Sequence, residues 1–336
     1  MDKPSTQLLA SQVGGHAGVM TTEDGSLLIK PALHHELAFY QKLQQDAALA
    51  SLREYTPKFL GVLKLEGQVD PAQTASNSAT GVVLEQIEGQ KESIVLENLS
   101  HTFLKPNILD IKLGTVLYDE TASAEKVARM EKAARDTTSF ETGVRLTGFQ
   151  VHDNVTGKAV NTPKSYGKSI KVDQLAEGIA KFFSVGEAVK DPANPPTSTS
   201  GLSRETLVPI VETIRDEIKE IRAAYGELEI RMVGGSLLIL YEADWERAEE
   251  GVKKFLADDG DGDHEEADEE EDADSDTEPG KPPKVSPPIV VKLIDFAHTK
   301  LVPGEGQDKG VLLGMDTVLK LLDDRLAELT VGGTRE

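Results

Sequence analysis

Apolar residues recur along this chain in two periods, and polar interruptions of those periods mark its chemistry. Between Pro106 and Gly114, the residues Ile108, Leu109, Ile111 and Leu113 read as a strand broken only by Asp110 and Lys112. Alternate residues of a strand share a face, so the acid and the base project to one side. Upstream, Leu27 to Lys30 predicts the second strand of a hairpin that turns at Glu23-Asp24-Gly25-Ser26, and a helical pattern begins at His34. Strands are predicted over Tyr55–Leu65, Gly81–Glu85, Ser93–Glu97, Gly143–Val151 and Ile289–Ile294, the last ending in Asp295. Leu228–Met232 and Ser236–Tyr241 read as a hairpin turning at Gly234-Gly235. Helices are predicted over Ala122–Asp136, Val172–Phe183, Tyr241–Leu256 and Leu312–Leu329. A further helix is marked by Leu207, Ile210, Val211, Ile214, Ile218 and Ile221, at spacings of mostly three and four. Pro209 belongs in its first turn, which starts it near Thr206. Val69–Thr80 and Asp191–Gly201 have no period and read as loops. The mixture is α+β.

Charge changes this picture by its location. The net charge is -22 over 336 residues, which argues against a surface built for nucleic acid. Yet 14 acidic residues lie in Asp258–Glu278, without a Lys or Arg among them, and a Pro-rich exit follows to Pro288. Such a segment cannot bury enough apolar area to fold. By contrast, residues 105–190 hold 13 Lys/Arg against 11 Asp/Glu, so an anion site is expected in the middle of the chain. Within the acidic tract Asp259, Asp261, Asp263 and Glu270 imitate a calcium loop, but His264 stands where the turn needs glycine. No apolar run approaches the ~18 residues of a membrane span. The N-terminus lacks the charged start and apolar core of a signal peptide. The absence of cysteine fits a reducing compartment.

An adjacent acid and base on one strand face is what a phosphoryl-transfer centre needs. The cation neutralises the migrating group and the acid orients a hydroxyl, of the acceptor or of a ribose. A solvated Asp-Lys pair on an edge strand is the competing reading. Asp295, at the end of a buried strand, is placed to hold a metal, or to serve as a turn or helix-cap residue. Lys30 ends an apolar strand six residues before Glu36 at the start of a helix, the arrangement that aims an ammonium at nucleotide phosphates. The Gly-rich stretch Ser11–Gly18 could bring backbone N–H groups to phosphates, or be an ordinary loop. Lys126 and Arg129 lie one helical turn apart and can share a face.

Pro106-x-x-x-Asp110-x-Lys112-x-Gly114 resembles the signature of the inositol polyphosphate kinase family. Gly235-Ser236-Leu237-Leu238 resembles the family's Ser-Ser-Leu-Leu, departing at Gly235, and Leu293-Ile294-Asp295-Phe296-Ala297-His298-Thr299 resembles its metal-binding strand end. The three occur in the family's order, and the similarity runs from about Gln12 to Leu322. The resemblance implies a two-lobed, protein-kinase-like α+β fold. The N-lobe would span residues 1–97 and the C-lobe 98–336, with an inositol phosphate-binding segment at 119–185 and a disordered acidic loop at 257–288. It implies ATP and Mg²⁺ between the lobes. Lys30, Asp110 and Asp295 would meet ATP, the backbone of Glu97 and Leu99 the adenine, and Asp295 and Ser236 the metal. Asp110 and Lys112 would be catalytic, and Lys112, Lys126, Arg129, Lys164, Lys168 and His298 would contact the inositol phosphate. Ala297-His298-Thr299 resembles the multikinase and hexakisphosphate kinase branches, and the short chain favours the multikinases, most of all the fungal ones. The implied reaction takes inositol trisphosphate to tetrakis- and pentakisphosphate, with phosphoinositide lipid as a further substrate to test. Pyrophosphate synthesis by a hexakisphosphate kinase is the alternative. A reading of another class is a nuclear interaction protein whose acidic tract binds basic proteins. A monomer in nucleus and cytoplasm, binding no nucleic acid directly, is expected.

Overall fold

The computed structural model describes residues 6–9, 18–63, 68–69, 84–85, 92–187, 200–258 and 288–331. Two five-stranded antiparallel sheets organise it, one in each lobe. The first contains β1 (Thr6–Leu8), β2 (Met20–Thr22), β3 (Leu27–Pro31) and β4 (Phe59–Leu63). A short pair, β5 (Gln68–Val69) with β6 (Leu84–Glu85), stands apart from it. With β7 (Ser93–Glu97) the first sheet is complete, in the order β1-β2-β3-β7-β4. Asp24 shapes the β2–β3 turn: its carboxylate accepts from Thr22 Oγ1 at 2.5 Å and from the Ser26 amide at 3.1 Å. Helix α1 (His34–Gln45) follows β3, and the one-turn α2 (Ala50–Arg53) precedes β4.

The second sheet is built on β8 (Pro106–Leu113), the strand that carries Asp110 and Lys112. Helices α3 (Ala124–Asp136) and α4 (Ser139–Thr142) lead to β9 (Val144–Asp153) and β10 (Lys158–Thr162). Next come α5 (Lys164–Ser169), α6 (Leu175–Phe182) and the long α7 (Arg204–Gly226). After β11 (Ile230–Val233) and β12 (Ser236–Glu242) lies α8 (Trp245–Asp258). Strands β13 (Ile289–Ile294) and β14 (His298–Leu301) lead into α9 (Lys309–Val331). The sheet order is β10-β9-β8-β12-β13, so β8 is central. Its alternate residues Leu109, Ile111 and Leu113 are buried, as are Leu237 and Ile239 of β12 and Val291 and Leu293 of β13. The apolar stripe of α7 and residues Val311, Met315, Val318 and Leu322 of α9 complete one continuous core with that sheet face.

Two expectations are corrected. Leu228–Met232 and Ser236–Tyr241 do not form a hairpin: β11 pairs with β14, while β12 enters the sheet between β8 and β13. Gly234 turns the chain at φ +77°, but the apolar residues of β12 gain more burial as a central strand than beside β11. Helix α7 starts at Arg204 rather than Thr206, because Ser203 caps it by accepting from the Thr206 amide at 3.3 Å; Pro209 therefore sits in the second turn. The polar stretch 158–171 contains strand β10 and helix α5. The Gly-rich stretch through Ala17, residues 81–83 of a predicted strand and the acidic tract from Asp259 with its calcium-loop spacing lie outside the described residues.

The lobes meet through aromatic rings. Phe296, next to Asp295, stacks on Phe39 of α1 at 4.7 Å and lies edge-on to Tyr40 at 5.5 Å. Tyr40 in turn stacks on Phe59 of β4 at 5.6 Å. Offset and edge-on ring contacts of this kind add about 1 kcal/mol each beyond area burial, and here they set Asp295 against the first lobe.

Candidate active site

Strand register draws a row of polar side chains across the second sheet. Ser236 of β12 stands opposite Lys112 of β8 on one side and Ile294 of β13 on the other. Asp295 follows Ile294 directly and has φ +66°, the only non-glycine in the left-handed region among the described residues. Asp tolerates that region better than most residues, and strain of this kind concentrates at functional sites. Asp110 lies two residues from Lys112 on the same face, as period-two spacing requires. It is 2% exposed; among the described residues neither its Oδ1 nor the fully buried Ser236 Oγ makes a hydrogen bond of good geometry, although the Ser236 hydroxyl is close enough to help lower the Asp110 pKa.

The charges in this row perturb one another. Burial and then the Asp295 carboxylate raise the pKa of Asp110, against the pull of Lys112. Burial lowers the pKa of Lys112, with Asp110 and Asp295 opposing it and Arg145 and Lys30 adding to it. Lys112 Nζ donates to the Gly234 carbonyl at 2.5 Å. From the first lobe, Lys30 Nζ donates to Glu36 Oε1 at 2.8 Å and to Asp295 Oδ1 at 2.5 Å. Burial works against the charge of Lys30, but the two carboxylates outweigh it and hold its pKa above the ordinary lysine value.

At the segment joining the lobes, the Glu97 amide is taken by the Lys58 carbonyl at 3.1 Å and the Asn98 amide by Ser26 at 2.8 Å. The Glu97 carbonyl and the Leu99 amide, the groups expected to meet the adenine, take no part in these two bonds. The site has only hard oxygen donors: the carboxylates of Asp295 and Asp110 and the orphaned hydroxyl of Ser236. That donor set fits Mg²⁺, which takes one or two carboxylates and completes its shell with phosphate oxygens and water.

The residues predicted to meet an inositol phosphate fall on four elements, β8 with Lys112 being the first. On α3, Ser123 caps the first turn, Lys126 is half-buried and Arg129 is exposed. Lys126 lies close enough to Asp119 to lower its pKa, after the larger effect of the Thr121 hydroxyl bond. Asp119 accepts from Thr121 Oγ1 at 2.7 Å, and its other oxygen lies 2.5 Å from His298 Nδ1. His298, Asp119 and Tyr118 line a cavity of about 430 Å³ together with His35, Arg231 and Lys300. On α5, Lys164 and Lys168 are exposed, and Lys164 is near enough to Asp110 to help lower its pKa. A Cβ on Gly167 would meet the Leu146 carbonyl oxygen at 1.6 Å, so only glycine lets α5 lie on β9. Lys30, Asp110, Lys112, Lys164, Ser236 and Asp295 thus share one site, while Lys126 and His298 meet around Asp119 at the cavity. No contact joins Arg129 or Lys168 to either group.

The sequence reading missed Asp119 and Arg145. Asp119 carried a signal, since Asp-x-Thr marks a local side-chain turn. Arg145 carried none: only the register, which sets it opposite Lys112, brings it to the site.

Comparison with known proteins gives consistent findings. Residues 93–323 match the family described as inositol polyphosphate kinase. The inositol polyphosphate multikinase of Saccharomyces cerevisiae is 33% identical over 358 residues, covering 94% of this chain and 97% of that protein. The Schizosaccharomyces pombe inositol polyphosphate multikinase is 27% identical over 241 residues, covering 70% of this chain and 79% of its own. Among solved structures, an inositol phosphate multikinase from S. cerevisiae in complex with ADP and Mn²⁺ matches with TM-score 0.60 and 29% identity, over 90% of this chain and 100% of that one.

Proposed function

Because the chain belongs to the inositol polyphosphate kinase family, we propose that it transfers the γ-phosphoryl group of ATP to hydroxyls of an inositol trisphosphate, giving tetrakis- and then pentakisphosphate. The observation that carries this reading is the pairing of Ser236 with Lys112 on one sheet face, with the buried Asp110 beside them and Asp295 directly after Ile294, the residue opposite Ser236. That a relative was solved with ADP and Mn²⁺ supports the use of a nucleotide and a divalent metal.

In this reading Lys30, held by Glu36 and Asp295, meets the nucleotide phosphates. Asp295 and Ser236 would hold Mg²⁺, which when bound draws charge from the phosphate oxygens. Lys112 leaves the Gly234 carbonyl to contact the phosphoryl group in transit. The acceptor oxygen bonds to γ-phosphorus as the bond to the β-phosphate oxygen breaks. Asp110, with its pKa raised, is a stronger base than an exposed carboxylate. It can take the acceptor's proton, or orient the ribose instead; turnover of 2′- and 3′-deoxy-ATP by Asp110→Asn distinguishes the two. Lys126, Lys164 and His298 face phosphates that do not react.

The test is purified protein with ATP and Mg²⁺ against a panel of inositol phosphates, including a phosphoinositide in vesicles, with product isomers resolved. Trisphosphate should be converted through tetrakis- to pentakisphosphate. Turnover of hexakisphosphate alone, or of no inositol phosphate, would overturn the proposal.

A further inference from the structure

The polar row extends one strand beyond Lys112. Arg145 of β9 stands opposite Lys112, as Ser236 does on the other side. Directly opposed residues have Cβ atoms about 5 Å apart, and like charges so placed destabilise a strand pair. Burial sharpens the conflict. Arg145 is only partly exposed, and burial is the first reason that its pKa falls below the ordinary arginine value, with Asp110 opposing. Arg145 in turn helps to push the pKa of Lys112 down. No hydrogen bond or ion pair links the guanidinium to any described residue. Among the described residues, Lys112 has only a backbone carbonyl as its hydrogen-bond partner. Desolvated charges are normally paired, and Arg145 has only Asp110, which it shares with Lys112, so a further anion would complete its pairing.

The order of strands says which anion. Reading across the sheet, β13 leads to Asp295, β12 carries Ser236, β8 carries Lys112 and β9 carries Arg145. The metal-binding side lies at one end of that row and Arg145 at the other. Helix α5, with Lys164, rests on the carbonyl of Leu146, the neighbour of Arg145. We propose that Arg145 binds a phosphate of the inositol polyphosphate beside the hydroxyl being phosphorylated. It forms a two-cation clamp with Lys112: Lys112 serves the group in transit, and Arg145 holds the acceptor by a planar fork of N–H donors suited to phosphate. This rests on the function proposed above, and it adds a residue and a division of labour.

The test compares parent, Arg145→Met and Arg145→Lys in thermal unfolding and steady-state kinetics. Without ligand, Arg145→Met should melt no lower than the parent, because a like-charge contact is relieved. It should lose most of the thermal stabilisation given by inositol trisphosphate but keep that given by ATP with Mg²⁺. Its KM for inositol trisphosphate should rise about thirtyfold, the loss expected for a charge-assisted phosphate contact, with KM for ATP within about threefold of the parent. Arg145→Lys should show the same selective loss, smaller. A parent-like inositol phosphate response in Arg145→Met overturns the proposal. So does an equal loss for both substrates. If Arg145→Met melts well below the parent or does not fold, Arg145→Lys decides by the same split. A parent that no inositol phosphate stabilises would sink the substrate assignment itself, a failure distinct from that of Arg145.

Discussion

Lys30 Nζ lies 2.5 Å from Asp295 Oδ1, joining residues 265 apart in sequence and closing the cleft between the two sheets. The contact has a dual consequence. It gives Lys30 a second carboxylate besides Glu36, and it fixes one oxygen of the residue proposed to hold the metal.

Asp295→Asn should therefore separate chemistry from folding. Asn adopts the left-handed backbone as readily as Asp, so the φ of +66° is no obstacle. Loss of the anion should raise the barrier by about 4 kcal/mol, close to a thousandfold in kcat. Asp295→Val, which resists that backbone, should lower Tm as well. Near-normal kcat of Asp295→Asn in saturating Mg²⁺ would remove Asp295 from the metal site.

Lys126 and Arg129 should prove unequal. Both were expected on one helix face, but Lys126 is half-buried and close to Asp119, whereas Arg129 is exposed. A screened, solvent-facing charge contributes less to binding than a partly buried one. Lys126→Ala should raise KM for inositol phosphate about tenfold and Arg129→Ala about twofold, with KM for ATP unchanged in both. Equal effects of the two substitutions would show that burial does not rank them.

Gly167→Ala tests how α5 is held. The added methyl would overlap the Leu146 carbonyl at 1.6 Å, which a backbone cannot relieve without moving the helix. Overpacking of this kind costs about 3 kcal/mol or displaces the element. Either way Lys164 leaves its place, so KM for inositol phosphate should rise while KM for ATP holds. A variant with parental Tm and parental kinetics would mean that α5 does not rest on β9 as described.

The sequence was most legible where function needs local pattern. Asp110 and Lys112 interrupt an apolar strand at period two, so their shared face was readable, and Lys30 and Glu36 lie close enough in sequence to be paired by eye. Their joint partner Asp295 could be marked as a strand-end carboxylate, although its contact with Lys30 comes from the stacking of Phe296 on Phe39. Arg145 was hidden because strand order and register are nonlocal. The same cause misled at Gly234-Gly235, where a turn signal between two apolar runs looked like a hairpin. Helix α5 has Gly and Ser among its six residues and little propensity of its own; the close approach of Gly167 to β9 holds it.

A final prediction concerns the other side of the interlobe contact. Strand β13 is the edge of the second sheet, and the first lobe docks there: the Leu293 amide donates to the Tyr55 carbonyl at 2.8 Å, and Lys292 Nζ to the Glu54 carbonyl at 2.6 Å. Glu217 of α7 faces this joint, and burial raises its pKa from 4.5 to about 7. Lys292 and the Val291 amide oppose that rise, while Glu220 and Glu54 add to it. Tyr55 also faces the cluster, with its hydroxyl 3.4 Å from Glu220. The folded pKa lies above the unfolded one, so the folded protein keeps a proton that the unfolded chain releases between pH 4.5 and 7. The stabilisation is complete at and below pH 4.5 and is lost as pH rises through 7. At pH 8 the loss is at most about 3 kcal/mol, and solvent at this partly exposed site reduces it. Glu217→Gln stays neutral and can still accept from the Val291 amide. It should match the parent in urea unfolding at about pH 5 and exceed it by about 1–2 kcal/mol at about pH 8. An advantage that is absent at the higher pH, or greater at the lower, would show that Glu217 is ionised in the folded protein throughout.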